Sequence, residues 1–273
     1  LLLATGTLSL HADAVLAQDG AVQVDTVRRQ DFLRSGDGFL HTVSSPIRWR
    51  GSDWLRTGGV IAGTALAMIA DKPVRRFWQD QDSPVLDGLE RAGYHYGKPY
   101  AAMYLTGGFY LTGVVIKNEW ARETALTLAA AYLTSGAVQT FMKSAIGRAR
   151  PSTGVGPWRY KPWTSEAAYH SFPSGHIQIA TVSAVVLAER VEQPWLKGVF
   201  YSTAGVTLIS RMYSDSHWLS DMVFGGAVSY FTAKTVVRRM QATKGGRHMF
   251  RKRNAFTWHF SPTLNGVALV GTL

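Results

Sequence analysis

Residues 171 to 190 read SFPSGHIQIATVSAVVLAER, a polar opening at Pro173-Ser174-Gly175-His176 followed by an apolar run that stops at Glu189-Arg190. The run from 175 to 188 is too long for a strand and does not alternate, so it predicts an α-helix with the Ser174-Gly175-His176 triplet at its start. Five more runs of the same character, each bounded by charge, Gly or Pro, lie near 54–70, 100–116, 124–146, 196–213 and 217–237. Together they predict an all-α fold, a six-helix up-and-down bundle. At the end of the chain Phe256, Trp258 and Phe260 alternate, and Asn265-Gly266 precedes Val267 and Leu269, which predicts a short C-terminal β-hairpin.

The 273 residues suffice for a substantial core. The absence of cysteine excludes disulfides, thiolate metal sites and thiol catalysis. A net charge of +11 calls for an anionic partner, and the densest basic block, KTVVRRMQATKGGRHMFRKRN at 234–254, carries no acidic residue. No groove-reading motif accompanies that charge, so nucleic acid is not the expected partner. Mean hydropathy is −0.02, low for a chain made of membrane spans, and several of the runs fall short of the roughly 20 apolar residues a span needs. Residues 1–17 have the form of the rear of a secretory signal, with Val15-Leu16-Ala17 before Gln18. The expected organisation is therefore a signal remnant at 1–17, an extension at 18–50, a helical catalytic domain at 51–240, a basic segment at 241–254 and the hairpin at 255–273.

Alternating helices bring four ends to one side of the bundle. The third run closes on KSAIGRARP, where Lys143 and Arg150 are two turns apart and share a face. The fourth opens at Ser174-Gly175-His176, the fifth closes at Ser210-Arg211, and the sixth starts with His217 and Asp221 one turn apart. Three cations gathered in a partly dry site are costly unless an anion answers them. A tetrahedral phosphate fits: Arg150 and Arg211 can bind its oxygens bidentately, Lys143 adds a point charge, Ser174 gives a hydroxyl, and the Gly175 N–H approaches unhindered at a helix N-terminus. Asp221 can accept from one ring nitrogen of His217 and leave the other as a lone pair facing the anion. His217 is then the nucleophile that forms a phosphohistidine. His176 protonates the leaving oxygen and afterwards activates water. The scheme calls for no metal and no cofactor.

Lys143-x6-Arg150-Pro151, Pro173-Ser174-Gly175-His176 and Ser210-Arg211-x5-His217-x3-Asp221 resemble, in order, the three-part signature of the type 2 phosphatidic acid phosphatase (PAP2) superfamily. That group also takes in class A acid phosphatases and vanadium haloperoxidases. The resemblance covers about 140–225 directly and, by helix pattern, 50–240. It implies a helical bundle and hydrolysis of phosphomonoesters or pyrophosphates, often of lipids. Ile177 stands where many members have a small or hydroxylated residue.

Taken singly, Ser174 is explained as an N-cap, Asp221 as a first-turn carboxylate and Arg150 as a basic helix end; the complete set outweighs those explanations. Arg148, between the motif cations, reads as a solvated or loop-pairing charge. YHYGKPY at 94–100 reads as aromatic capping of the second run. Tyr169 and His170 border the site, and Trp158 and Trp163 suit either a membrane interface or the interior of their loop. The expected substrate is a phosphorylated lipid or small phosphate ester, with an anionic membrane surface as partner and the oligomeric state open. The expected place is the cell envelope, with the site facing the periplasm or exterior. Alternatives are a haloperoxidase in which vanadate takes the phosphate's place, a soluble periplasmic acid phosphatase, and a non-catalytic anionic-lipid-binding protein.

Overall fold

A computed structural model describes residues 31–242, 257–263 and 266–272. The expected signal remnant and most of the basic segment lie outside the described residues, as does the Leu264-Asn265 pair. The protein is predominantly helical. α1 is helical over 31–43, followed by α2 (Gly51–Gln79), α3 (Pro84–Tyr96), α4 (Pro99–Val115), α5 (Glu119–Ile146), α6 (Gly175–Ala188), α7 (Pro194–Tyr213) and α8 (Leu219–Ala242). Strands β1 (Thr257–Thr263) and β2 (Gly266–Thr272) pair antiparallel, Thr257 opposite Thr272.

Eight α-helices among the described residues replace the expected six, for two physical reasons. α3 has only Val85, Leu86 and Leu89 as large aliphatics and never forms an apolar run; its signal is the Ser83-Pro84 start, with proline at N1. α1 comes from the stretch read as an extension, and it packs near the start of α5 and the end of α8: Arg239 donates to both carboxylate oxygens of Asp37 at 2.8 and 2.9 Å, and Met240 meets Gly38. α2 runs nine residues beyond the expected end at Ala70, because Asp71 is buried and paired rather than solvated.

α6 is the axis of the bundle. Every residue from Ile177 to Ala188 is buried, the mark of a helix surrounded on all sides. Val182, Val185 and Val186 pack with Leu126, Leu128, Ala130 and Ala131 of α5 and with Val236, Val237 and Met240 of α8. Glycine lets neighbours close in: a Cβ on Gly225 of α8 would lie 2.9 Å from Ile177, and one on Gly93 of α3 would lie 2.5 Å from Ser210 of α7. From α5 to α8 consecutive helices alternate in direction. At one end Trp120 of α5 donates to the Arg190 carbonyl just beyond α6; at the other, the Ser174 amide donates to the carbonyl of Asp221 in α8. No described helix is long and apolar enough to cross a membrane.

Candidate active site

α5 ends at Gly147, whose left-handed φ of 59° turns the chain sharply out of the helix. The 147–173 connection then folds back on itself: the Lys161 amide donates to Gly147 O at 2.7 Å, Ala149 N to Arg159 O at 2.9 Å, and Trp163 N to Ser144 O at 2.7 Å. These bonds order the loop, while the Trp158 and Trp163 side chains stay mostly exposed. Arg150 lies under it as a brace. Its guanidinium donates to the carbonyls of Ala167, Ser216 and His170 at 3.0, 3.0 and 3.3 Å, joining the loop to the α7–α8 turn.

At the start of α6, Ser174 occupies the N-cap position without making a side-chain cap. Its Oγ is buried and has no hydrogen-bonding partner among the described residues, and the same is true of His176 Nε2. A buried polar atom left unpaired costs about 1–3 kcal/mol, so two of them side by side mark a place shaped for a ligand rather than for stability. The His176 ring stacks on Tyr94 of α3 at 5.6 Å and 29°, and its centroid is 6.4 Å from that of His217. Gly97 permits this approach, since a Cβ there would lie 2.7 Å from the His176 side chain.

His217 is buried in the turn before α8. Its Nδ1 is 2.8 Å from the Ser171 carbonyl and 3.7 Å from Asp221 Oδ2. A carbonyl can only accept, so Nδ1 carries the proton and Nε2 holds the lone pair. The expected Asp221 acceptor thus stands one step back: Ser171 O fixes the tautomer and Asp221 supplies charge behind it. Asp221 itself accepts from Arg148 Nη1 at 2.6 Å, from Ser171 Oγ, and from the Trp218 amide at 2.9 Å. Burial would raise its pKa, but His217, Arg148 and Ser171 outweigh that and hold the carboxyl below its usual range.

Arg211, near the end of α7, pairs with Glu90 of α3, receives Tyr94 against its guanidinium at 4.8 Å, and donates to Ser210 Oγ at 2.7 Å. The structure therefore brings together all eight residues singled out in the sequence: Lys143, Arg150, Ser174, Gly175, His176, Arg211, His217 and Asp221. Their charges register one another. Lys143 is lowered to about 8 by burial and then by Arg150; His176 to about 3 by burial and then by Arg211, His217, Lys98 and Lys143; His217 to about 4 by burial and then by Arg150 and Lys143 against the pull of Asp221. Burial likewise lowers Arg150 and Arg211. The five basic groups among these eight residues are all held below their ordinary values, by burial first and, for Lys143, Arg150 and the two histidines, by neighbouring cations as well.

Four contributors were misjudged or missed. Arg148, read as a solvated or loop-pairing charge, is 0 % exposed and bonds Asp221 and Asp71; its motif-adjacent position in a Gly-Arg-Ala-Arg run is indistinguishable from a surface cation in sequence. Tyr94 and Lys98, read as helix capping, lie against His176 and Arg211, with Lys98 Nζ 4.3 Å over the Tyr94 ring. Glu90 belongs to α3, which had no apolar run to reveal it. Tyr169 is covered by Lys161 rather than by the site, and His170 Nε2 bonds Thr164 O at 2.8 Å, so its side chain serves the loop.

Residues 124–244 match the family model of the PAP2 superfamily. Among curated proteins, the chain is 34% identical over 110 residues to the lipid A 1-phosphatase of Rhizobium etli, covering 38% of this chain and 47% of that protein. It is 38% identical over 63 residues to the lipid A 1-phosphatase of Porphyromonas gingivalis, covering 22% of this chain and 14% of that protein. In each case the chain spans less than half of the relative's length. Among solved structures, Aquifex aeolicus LpxE superposes with a TM-score of 0.46 at 18% identity, over 62% of this chain and 94% of that one. A transmembrane PAP2-type phosphatidylglycerolphosphate phosphatase from Bacillus subtilis gives 0.46 at 18%, over 69% and 98%. The segment that matches the PAP2 superfamily model holds Lys143, Arg150, Ser174, His176, Arg211, His217 and Asp221 within one cluster.

Proposed function

We propose that this protein is a metal-independent lipid-phosphate hydrolase that works through a phosphohistidine on His217, with residues 51–240 as its working unit. The observation that carries the reading is the pair of buried, unpartnered atoms, Ser174 Oγ and His176 Nε2, set among three cations and opposite the lone pair of His217. In the first step His217 Nε2 forms a bond to phosphorus as the ester P–O bond breaks, and His176 gives the leaving oxygen its proton. In the second, water attacks the phosphohistidine, His176 takes its proton, and orthophosphate departs from a restored His217. Lys143, Arg150, Arg211, Ser174 and the Gly175 amide stabilise the equatorial oxygens, the main task in phosphoryl transfer. Burial, and then the surrounding cations, hold His176 near 3 in the protein alone; a phosphate beside it offsets the cations' potential, so the acid acquires its proton together with the substrate.

A lipid substrate is favoured by the lipid A 1-phosphatase relatives. It is favoured also by large apolar side chains left exposed on α2 and α4, among them Leu55, Leu66, Ile69, Met103 and Val115. The protein then works at an anionic membrane surface of the cell envelope. The deciding experiment measures orthophosphate release from lipid A, phosphatidate, phosphatidylglycerophosphate, undecaprenyl pyrophosphate and an aryl phosphate, with EDTA present. The proposal expects a phosphorylated lipid to lead the panel. Turnover of the aryl phosphate alone points to a soluble-ester phosphatase, and bromide oxidation with vanadate and peroxide but no phosphate release points to a haloperoxidase.

A further inference from the structure

Asp71 sits in α2, outside the matched segment, and is 1 % exposed. The phosphoryl-transfer scheme gives it no task, yet it is bonded to the turn that carries the nucleophile. Its Oδ1 accepts the Ser220 amide at 2.9 Å, and its Oδ2 accepts the Ser220 hydroxyl at 2.8 Å and Arg148 Nη2 at 2.7 Å. The Ser220 amide and the Arg148 guanidinium can only donate, so the carboxylate form satisfies these contacts, and they pull against the burial that raises the pKa of Asp71. Arg148 completes a bridge: Nη1 reaches Asp221 Oδ1 at 2.6 Å and Ser220 Oγ at 2.7 Å, and Nε reaches Pro157 O at 2.9 Å.

We infer that Asp71 is a positioning residue of the active site: by sharing Arg148 with Asp221 it leaves one net negative charge behind the His217 imidazole and locks the turn that aims it. The inference rests on the phosphatase reading. One guanidinium against two carboxylates leaves a single negative charge in a fully buried cluster. With Asp71 neutral, Arg148 would cancel Asp221, and His217 would face only cations.

The surroundings make that charge matter. Around His217 stand Lys143, Arg148 and Arg150 from α5 and the loop after it, His176 from α6 and Arg211 from α7; among the described residues its carboxylate partner is Asp221 from α8, at 3.7 Å. Asp215, in the α7–α8 turn, is neutralised by a two-bond pair with Arg75 of α2 at 2.7 Å, and Glu90 is held by Arg211. Asp71 is therefore what keeps Arg148 from joining the surplus. A purely structural ion pair would hold α2 to α8 without affecting the imidazole's affinity for a proton.

The test is an NMR titration of isotopically labelled histidine in purified wild type, Asp71→Asn, and Asp71→Asn with Arg148→Gln, alongside pH–rate profiles on p-nitrophenyl phosphate. Asp71→Asn is expected to lower the His217 titration by on the order of one pH unit and kcat by at least about tenfold with little change in KM. The double variant removes one charge of each sign and is expected to bring the titration back toward wild type. A His217 titration in folded Asp71→Asn that coincides with wild type overturns the inference. Should Asp71→Asn fail to fold, Arg148→Gln with Asp71 retained decides: loss of the shared cation is expected to raise the His217 titration by on the order of one pH unit, and a titration that coincides with wild type overturns the inference. The titration needs no turnover, so a wild type that hydrolyses no phosphate ester defeats the proposed function and leaves this test standing.

Discussion

Arg150 shows how much one side chain does beyond carrying charge. Its fork donates to carbonyls on both sides of the site, so it positions the 147–173 connection and the α7–α8 turn while adding positive potential. Lysine keeps the charge and loses the planar fork. Arg150→Lys is expected to lower kcat/KM by about 10- to 100-fold, equivalent to roughly 1.4–2.8 kcal/mol, and to weaken vanadate inhibition in parallel. Steady-state kinetics check it; a loss of less than about threefold would mean that charge alone is used. At this scale most motif residues were legible because each group is local, a Pro-Ser-Gly-His start or an i, i+4 pair; the helix face expected for Lys143 and Arg150 does not form, since α5 ends at Ile146 and Arg150 follows the Gly147 turn in extended conformation. Ser171 was not, since what it contributes to His217 is a backbone carbonyl, which every residue has. Arg148 was misread because its partner Asp71 lies 77 positions away.

Elements place these residues through turns that admit no substitute. Gly147 ends α5 with φ at 59°, and a Cβ there would sit 1.9 Å from the Lys161 carbonyl. Gly147→Ala incurs both the left-handed penalty, about 1–2 kcal/mol, and a backbone clash. We expect a loss of at least about 2 kcal/mol in urea unfolding, with activity falling because Lys143 and Arg150 flank the turn. An unchanged midpoint would show that the connection relaxes freely. α5 to α8 were legible as elements because each is long and apolar. α3 was not, and α2 was truncated, because a buried Asp71 looks in sequence like any charge that closes a helix. The long-range contacts that turn α2 and α3 into walls of the site, Asp71 to Ser220 and Tyr94 to His176, leave no local trace.

For the molecule as a whole, the site exchanges stability for reactivity. His176 and His217 titrate near 3 and 4 when folded, below the unfolded value of about 6.5. Between those values the unfolded chain binds more protons, so stability rises with pH there and is lost as pH falls from about 6.5 toward the folded values. From pH 6.5 to 5 each histidine is expected to forfeit about 2 kcal/mol, lowering the melting temperature by roughly 10 °C in total. Orthophosphate should blunt the fall by countering the cations, and His176→Gln with His217→Gln should flatten it. A melting temperature that stays level from pH 6.5 to 5 in wild type would contradict the lowering of both histidines by burial and by the neighbouring cations.

The central claim, that His217 takes the phosphoryl group, is tested most directly by acid-free rapid quench of a reaction with 32P-labelled substrate, followed by peptide mapping. The account predicts a transient, acid-labile and alkali-stable label on His217, absent from His217→Asn, which should also lose turnover. Turnover that persists in His217→Asn, or a label that maps to another residue, would contradict it.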